Sequence, residues 1–148
     1  MKHFENRWIY EFFEEKPDAI IKSMFGGLAL YYQGQLKLVI MEDAGNDLYR
    51  GKKYPYDIWN GLLICTSREQ HPALQAQFPS LVLHPVLPKW LYVPFTSESW
   101  ESLADSIIKL VRSGDPRIGV WPQQKKKKKV SRKKVSKKIS TSRKTKRK

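Results

Sequence analysis

The residue types needed for nucleophilic catalysis occur at Cys65, His71 and His84. A cysteine attacks as its thiolate, which a neighbouring histidine can generate by accepting the thiol proton. Cys65, however, ends the apolar run 62–65, where a buried and inert thiol is the ordinary outcome. Both histidines precede a proline, as turn residues commonly do, and with His3 they lack the close spacing of a metal site. We therefore expect no enzymatic activity and no bound cofactor or metal.

Oxygen ligands cluster in the acidic segment 42–47, which reads Glu-Asp-Ala-Gly-Asn-Asp. Calcium binds to several oxygen atoms held close together, so the composition fits a calcium loop. The register of an EF-hand is missing, and a run of small and polar residues is typical of a turn. A plain turn is the favoured interpretation, and calcium binding is the alternative.

Lysines and aromatic residues are interleaved in the loop 50–59, which is therefore a candidate contact surface. Lysine side chains can meet phosphates while aromatic rings stack on unpaired bases. The alternative is that these rings are half-buried packing residues. The same two interpretations apply to Lys89, Trp90 and Tyr92. The candidate contacts in the loop are Lys52, Lys53, Tyr54, Tyr56 and Trp59.

Positive charge is concentrated at the C-terminus, where residues 125–148 hold fifteen of the 28 Lys and Arg residues and no Asp or Glu. Residues 1–124 carry the other thirteen basic and all fourteen acidic side chains, so their net charge is about −1. Clustered positive charges repel one another, form no core, and gain most by displacing counterions from DNA or RNA. We expect a disordered tail that contacts phosphates without sequence specificity, because it does not resemble a base-reading helix. Its predicted nucleic-acid contacts are Lys125, Lys126, Lys127, Lys128, Lys129, Arg132, Lys133, Lys134, Lys137, Lys138, Arg143, Lys144, Lys146, Arg147 and Lys148.

The remaining residues are enough for one compact domain. We divide the chain into an α+β domain over 1–116, a linker over 117–124 and the tail over 125–148. No apolar run reaches the ~18 residues of a membrane span, and residues 1–10 lack the pattern of a secretory signal. A single cysteine fits a reducing compartment. We expect a cytoplasmic protein without a membrane span, associated with the nucleoid if it is bacterial.

Three helices are predicted from apolar periodicity and capping residues. Apolar side chains at helical spacing predict an amphipathic helix over 4–13. A second, short helix is expected to begin with Ser67 as its N-cap. The last helix is expected to be capped by Thr96 or Ser97 and to close at Gly114.

Strands are predicted from β-rich runs between turn residues. The runs 28–32 and 36–41, joined at Gln33-Gly34, predict a β-hairpin. Further strands are expected at 62–65, 81–83 and 90–95, and another could start at 48–50. The predicted order is α-β-β-β-α-β-β-α, an α+β domain whose helices cover one face of a small, mainly antiparallel sheet.

The run 22–34 resembles the start of the TfoX/Sxy N-terminal domain, in which a Met-Phe-Gly-Gly tetrad precedes a strand and a glycine-containing hairpin. The resemblance covers residues 1–50, while the pattern over 81–111 is similar to the related MmcQ/YjbR group. It implies a small fold similar to secretion chaperones, presumed DNA binding or competence regulation, and no established catalytic residues. The basic tail takes the place of the helical TfoX C-terminal domain. The motif residues are Met24, Phe25, Gly26, Gly27 and Gly34.

The tetrad also has a physical interpretation. Gly26 and Gly27 permit backbone angles or a close approach that a Cβ would block. Met24 and Phe25 are expected to plug the end of the core. A ligand-binding turn is the alternative to this structural role.

Two functions are consistent with the sequence. The leading hypothesis is a non-enzymatic protein whose tail binds DNA or RNA phosphates, with a protein partner or homodimer contact through the domain. The alternative is a protein-binding adaptor of secretion-chaperone shape, whose tail contacts ribosomes or an anionic membrane.

Overall fold

The structure is a computed structural model that describes residues 3–122. The predictions made for the tail, including its disorder and its fifteen cationic contacts, lie outside the described residues. The chain begins with a 3₁₀ helix over Arg7–Phe13. The strands that follow are β1 (Ala19–Met24), β2 (Gly27–Tyr32), β3 (Gln35–Glu42), β4 (Leu48–Tyr49), β5 (Lys52–Lys53), β6 (Asn60–Ile64), β7 (Val82–Leu83) and β8 (Leu91–Pro94). After β6, a 3₁₀ turn over Arg68–Gln70 leads into α1 (His71–Gln77), and the last helix is α2 (Trp100–Ser113).

The main sheet has six strands in the order β1-β2-β3-β6-β8-β7, and β4 pairs with β5 in a separate ribbon. Every pair of neighbouring strands is antiparallel. The prediction of an α+β domain with a mainly antiparallel sheet is therefore confirmed.

The order along the chain differs from the predicted one at the N-terminus and at β5, which lies in the predicted loop 50–59 and pairs with β4. The first helix is a 3₁₀ helix of seven residues, and Asn6 makes no side-chain capping bond to it. Only Ile9, Tyr10 and Phe13 of this segment are buried, so its packing stripe is narrower than the predicted one. Strand β1 lies in a segment for which no strand is predicted, because its exposed Ile20 obscures the apolar–polar alternation of a half-buried strand.

Two-residue turns close three hairpins, at Phe25-Gly26, Gln33-Gly34 and Arg50-Gly51. All six residues have positive φ, between 52° and 86°. Positive φ at both central positions is the signature of a type I′ turn, whose twist matches that of the flanking strands. The hairpin predicted at Gln33-Gly34 is confirmed, and the tetrad forms another hairpin.

Close approach also explains the second glycine of the tetrad. A Cβ on Gly27 would lie 2.3 Å from Met41 Sδ and 2.5 Å from the Ile40 carbonyl oxygen. The interpretation of Phe25 as a core plug is wrong, because 59% of the residue is exposed. Its positive φ turns the side chain away from the core, while Met24 is half-buried against the sheet.

The two faces of the main sheet have different coverings. On one face, strand residues such as Leu38 and Leu62 pack against Tyr10 of the 3₁₀ helix and Ile107 of α2. Tyr10 also donates a hydrogen bond of 2.8 Å to the Leu28 carbonyl. On the opposite face, which we call the second face, the buried residues come from strands and, at Cys65, from the residue that follows β6, while the half-buried cover comes largely from loops. Its buried residues are Ala29, Leu36, Val39, Met41, Leu63, Cys65 and Tyr92.

The helix ends match the sequence signals only in part. Gly114 closes α2 in the left-handed conformation, with φ of 79°, as expected. The α2 N-cap is Ser99 rather than Thr96 or Ser97, because those residues form a turn before the helix. Ser67 precedes a 3₁₀ turn and makes no side-chain capping bond.

Residues 117–122 belong to the segment interpreted as a linker, yet they lie against the domain. Ile118 is fully buried in the main core. The Thr66 hydroxyl donates to the Arg117 carbonyl at 2.6 Å, and Lys37 Nζ donates to the Ile118 carbonyl at 2.9 Å. Val120 pairs with Leu36 through two backbone hydrogen bonds. The packed domain therefore continues beyond residue 116.

Candidate functional site

The three side chains that could perform nucleophilic chemistry are all buried in the folded domain. Cys65 is fully buried, and burial raises the pKa of its thiol well above the usual value. His71 donates from Nε2 to the Lys89 carbonyl at 2.8 Å. These environments are typical of packing residues, and they offer no activated thiolate. Among residues 3–122, no group of three His, Cys, Asp or Glu side chains is placed to hold a metal ion.

His84 fixes the loop 84–90 beside the second face. Its Nδ1 accepts hydrogen bonds of 3.1 Å from the backbone N–H groups of Val86 and Leu87. Its Nε2 donates to the Ile58 carbonyl at 2.5 Å. Because Nδ1 must be unprotonated to accept, the ring is the neutral Nε2–H tautomer. Burial lowers the pKa of His84, while the Ile58 hydrogen bond acts in the opposite direction.

The acidic segment 42–47 forms internal contacts that favour the turn interpretation. Glu42 accepts from the backbone N–H groups of Glu5 and Asn6, each at 2.8 Å. Asp47 forms an ion pair of 3.0 Å with Lys53. Two of the carboxylates that a calcium ion would need are thus already engaged.

The predicted contact loop 50–59 is brought together as a surface, but its aromatic residues are partly used in packing. Trp59 packs on His84 with ring centroids 4.5 Å apart, and Tyr56 packs near Tyr92 at 5.8 Å. Tyr54 is half-buried beside Lys52, whose Nζ lies 5.1 Å from the ring centroid. Lys52 and Lys53 are exposed. Tyr92 is fully buried and cannot meet a base.

A groove runs along the second face and encloses about 980 Å³. Its sides come from the tetrad turn, the segment after β6, the loop 84–90 and the C-terminal segment 120–122. Most of its lining is apolar. The lining residues are Met24, Phe25, Leu36, Thr66, Ser67, Arg68, Glu69, Val86, Leu87, Pro88, Lys89, Trp90, Val120, Trp121 and Pro122.

Two aromatic rings of this groove are exposed. Phe25 is 59% exposed and lies 6.5 Å from the half-buried Trp90, centroid to centroid. Trp121 is 70% exposed, and a Cβ on Gly34 would lie 3.0 Å from its ring. One ring therefore stands at the β1–β2 turn and the other packs over the β2–β3 turn.

The groove also holds the two cations of the described residues that lack a charged or aromatic partner, Arg68 and Lys89. The other lysines and arginines of 3–122 are engaged. Four form ion pairs with carboxylates, and five lie over aromatic rings. Lys37 is buried and donates to Gln35 and Ile118, and burial lowers its pKa. Arg68 and Lys89 are both exposed.

Sequence reasoning selects Lys89 and Trp90 but misses Arg68 and Trp121, and it assigns Phe25 to the core. The signal available for Phe25 is its position before glycine in a two-residue turn, where a bulky residue is unusual. The signal for Trp121 is an aromatic residue in Trp-Pro, shortly before the cationic run. Arg68 carries no local signal, because its place in the groove depends on long-range packing.

Comparison with protein-family models, with curated proteins and with solved structures finds no match for this chain. Helices long and apolar enough to cross a bilayer do not occur between residues 3 and 122.

Proposed function

We propose that this chain is a non-enzymatic, nucleic-acid-associated protein whose segment 125–148 supplies affinity by contacting phosphates. The observation that carries the proposal is the charge distribution, with fifteen cationic residues and no acidic residue in that segment. Each phosphate contact releases condensed counterions, which favours binding without selecting a sequence. The proposed location is cytoplasmic, with nucleoid association if the source is bacterial.

The pairing of charges in the folded domain supports a weaker contribution of the domain to polyanion binding. Arg7, Lys53, Lys109 and Arg117 are bound to carboxylates of the same domain, which reduces their attraction to an external polyanion. The segment 125–148 has no acidic residue within itself to compete with phosphates. We therefore assign most of the affinity to this segment rather than to the domain.

Salt-dependent binding to duplex DNA and to RNA tests the proposal. If the full chain contacts six to ten phosphates, its affinity should fall by about 10³ to 10⁵ between 50 and 200 mM salt. A chain of residues 1–124 should bind far more weakly, with circular dichroism as the control for folding. Equal affinity of the full and shortened chains would refute the proposal and direct attention to the domain.

The relationship to the TfoX/Sxy N-terminal domain is part of the proposal. Its support is the Met-Phe-Gly-Gly tetrad, which forms a hairpin turn and begins β2 in this structure. The relationship would place the domain among modules presumed to act with DNA.

A protein-binding adaptor is the second candidate, and the edge strand β1 favours it. An edge strand offers unpaired backbone groups to an added strand. Ile20 on β1 is 58% exposed, so an apolar side chain accompanies those groups. A protein partner that survives nuclease treatment and is lost in Ile20→Lys would favour the adaptor. Loss of all partners on nuclease treatment would favour the nucleic-acid proposal.

A further inference from the structure

We infer that the groove on the second face is a stacking site for single-stranded nucleic acid, which gives the protein a preference for unpaired over duplex strands. The inference rests on the proposed function and adds a substrate class to it. Phosphate contacts by 125–148 do not distinguish single from double strands by base, whereas exposed aromatic rings reach only unpaired bases.

The backbone at Phe25 is the first observation. Type I′ turns favour Asn, Asp or Gly at both central positions, because those residues tolerate positive φ. Phe25 has φ of 57° and contributes little to the core, since 59% of it is exposed. The other two turns carry the polar residues Gln33 and Arg50 at this position, so Phe25 is the one apolar, aromatic residue of the three that is held outward in the left-handed region.

The arrangement of the rings is the second observation. Phe25 and Trp121 stand near opposite ends of β2, whose six residues span roughly 20 Å at 3.3 Å each. That length corresponds to about six stacked nucleotides at 3.4 Å each. Trp90, the last residue of the loop 84–90, has its ring centroid 6.5 Å from that of Phe25, so a base that leaves one ring can meet the other.

Charge is the third observation. Arg68 and Lys89, which lack charged or aromatic partners among residues 3–122, both line this groove and can meet phosphates. Glu69 also lines it, and hydrogen bonds from its own backbone and from Ser67 lower the pKa of its carboxyl group. The three side chains together leave one net positive charge, which suits a groove that binds bases as well as phosphates.

The position of the cationic segment is the fourth observation. Pro122 lines the groove, and the run of lysines begins three residues later at Lys125. A strand held by this segment is therefore at high effective concentration near the groove. This continuity favours a polyanionic occupant over an uncharged apolar peptide.

The test compares binding of the full chain to a labelled oligonucleotide of about 12 thymidines or uridines with binding to a duplex of equal length. Phe25→Asn removes the ring and creates Asn-Gly, the preferred type I′ pair, so folding should be retained or improved. Each lost stacking contact should weaken single-strand binding by about 5-fold to 150-fold, converted from 1–3 kcal/mol per base. Duplex binding should not change.

Tryptophan emission supplies a second readout with a matched control. Oligonucleotide should quench the full chain, and Trp121→Phe should remove part of the quenching. Trp8→Phe should leave the quenching unchanged, because Trp8 is 47% exposed but packs on Trp100 outside the groove.

Glu69→Gln should strengthen single-strand binding, since it removes the negative charge from the lining. Comparing thymidine with uridine oligomers separates DNA from RNA as the source of the strand.

Each outcome bears on a different claim. If Phe25→Asn weakens single and double strands equally, or neither, and Trp121→Phe leaves the quenching unchanged, the stacking site is refuted while the phosphate-binding segment stands. If the full chain binds no strand at low salt, the proposed function itself fails. If Trp121 emission changes with protein concentration and not with oligonucleotide, a second copy occupies the groove and the inference is overturned.

Discussion

Replacement of His84 by asparagine should abolish a pH dependence of stability that the folded domain otherwise shows. The neutral ring accepts from Val86 and Leu87 and donates to Ile58, so an imidazolium would lose both accepted hydrogen bonds. An asparagine Oδ1 can accept from the same N–H groups, as in an Asx turn. His84→Asn therefore removes the titration while it preserves the loop.

The direction of this change in stability with pH follows from the lowered pKa of His84 in the folded chain. The unfolded chain takes up a proton near pH 6.5, above the pH at which the folded chain does. Stability is thus fully present above pH 6.5 and is lost as the pH falls below it, until the folded group also becomes protonated. The loss is at most about 1.4 kcal/mol per pH unit, or roughly 6 °C in melting temperature for a domain of this size.

The substitution itself should cost roughly 2–4 kcal/mol at pH 7.5. The Ile58 carbonyl loses its donor, which costs about 1–3 kcal/mol, and ring packing between Trp59 and Tyr92 is reduced. Thermal melts of the original chain and of His84→Asn between pH 7.5 and 5.5 provide the comparison. The titration of groups present in both chains cancels in the difference between their melting temperatures. If the two chains lose stability in parallel as the pH falls, the reasoning about His84 is refuted.

Three further predictions concern the core and the tail. Gly27→Ala should destabilise the domain by about 3 kcal/mol or more in urea unfolding, because its Cβ would meet Met41 and the Ile40 carbonyl. The control Gly26→Ala, at φ 79°, should cost about 1–2 kcal/mol. Equal costs for the two variants would contradict the close packing at Gly27. Cys65 should react with a thiol reagent far more slowly in the native chain than in urea, because it is buried with a raised pKa, and fast native alkylation would contradict this. A chain ending at Ser136 keeps eight of the fifteen cationic tail residues, so the slope of log affinity against log salt should fall to about half; an unchanged slope would show that the distal cations make no phosphate contact.

Turn chemistry and charge could be predicted because they depend on neighbours in the chain. The pair Gln33-Gly34 predicts a hairpin because it separates two β-rich runs and its glycine tolerates positive φ, and Gly114 closes a helix for the same conformational reason. The partition of charge between residues 1–124 and 125–148 is likewise a property of composition. These features gave the α+β class and the proposed polyanion partner.

Tertiary packing decided what local patterns leave open. Strand β1 exists because its backbone pairs with β2, although its own apolar pattern is poor. Phe25 was expected in the core, but a turn conformation set by the β1–β2 register directs it outward. Arg68 and Trp121 share a groove although 53 residues separate them in the chain, because the segment after β6 and the C-terminal segment pack at the same side of the sheet. The spacing of residues in the sequence does not predict such contacts, because they form when distant segments bury a common surface.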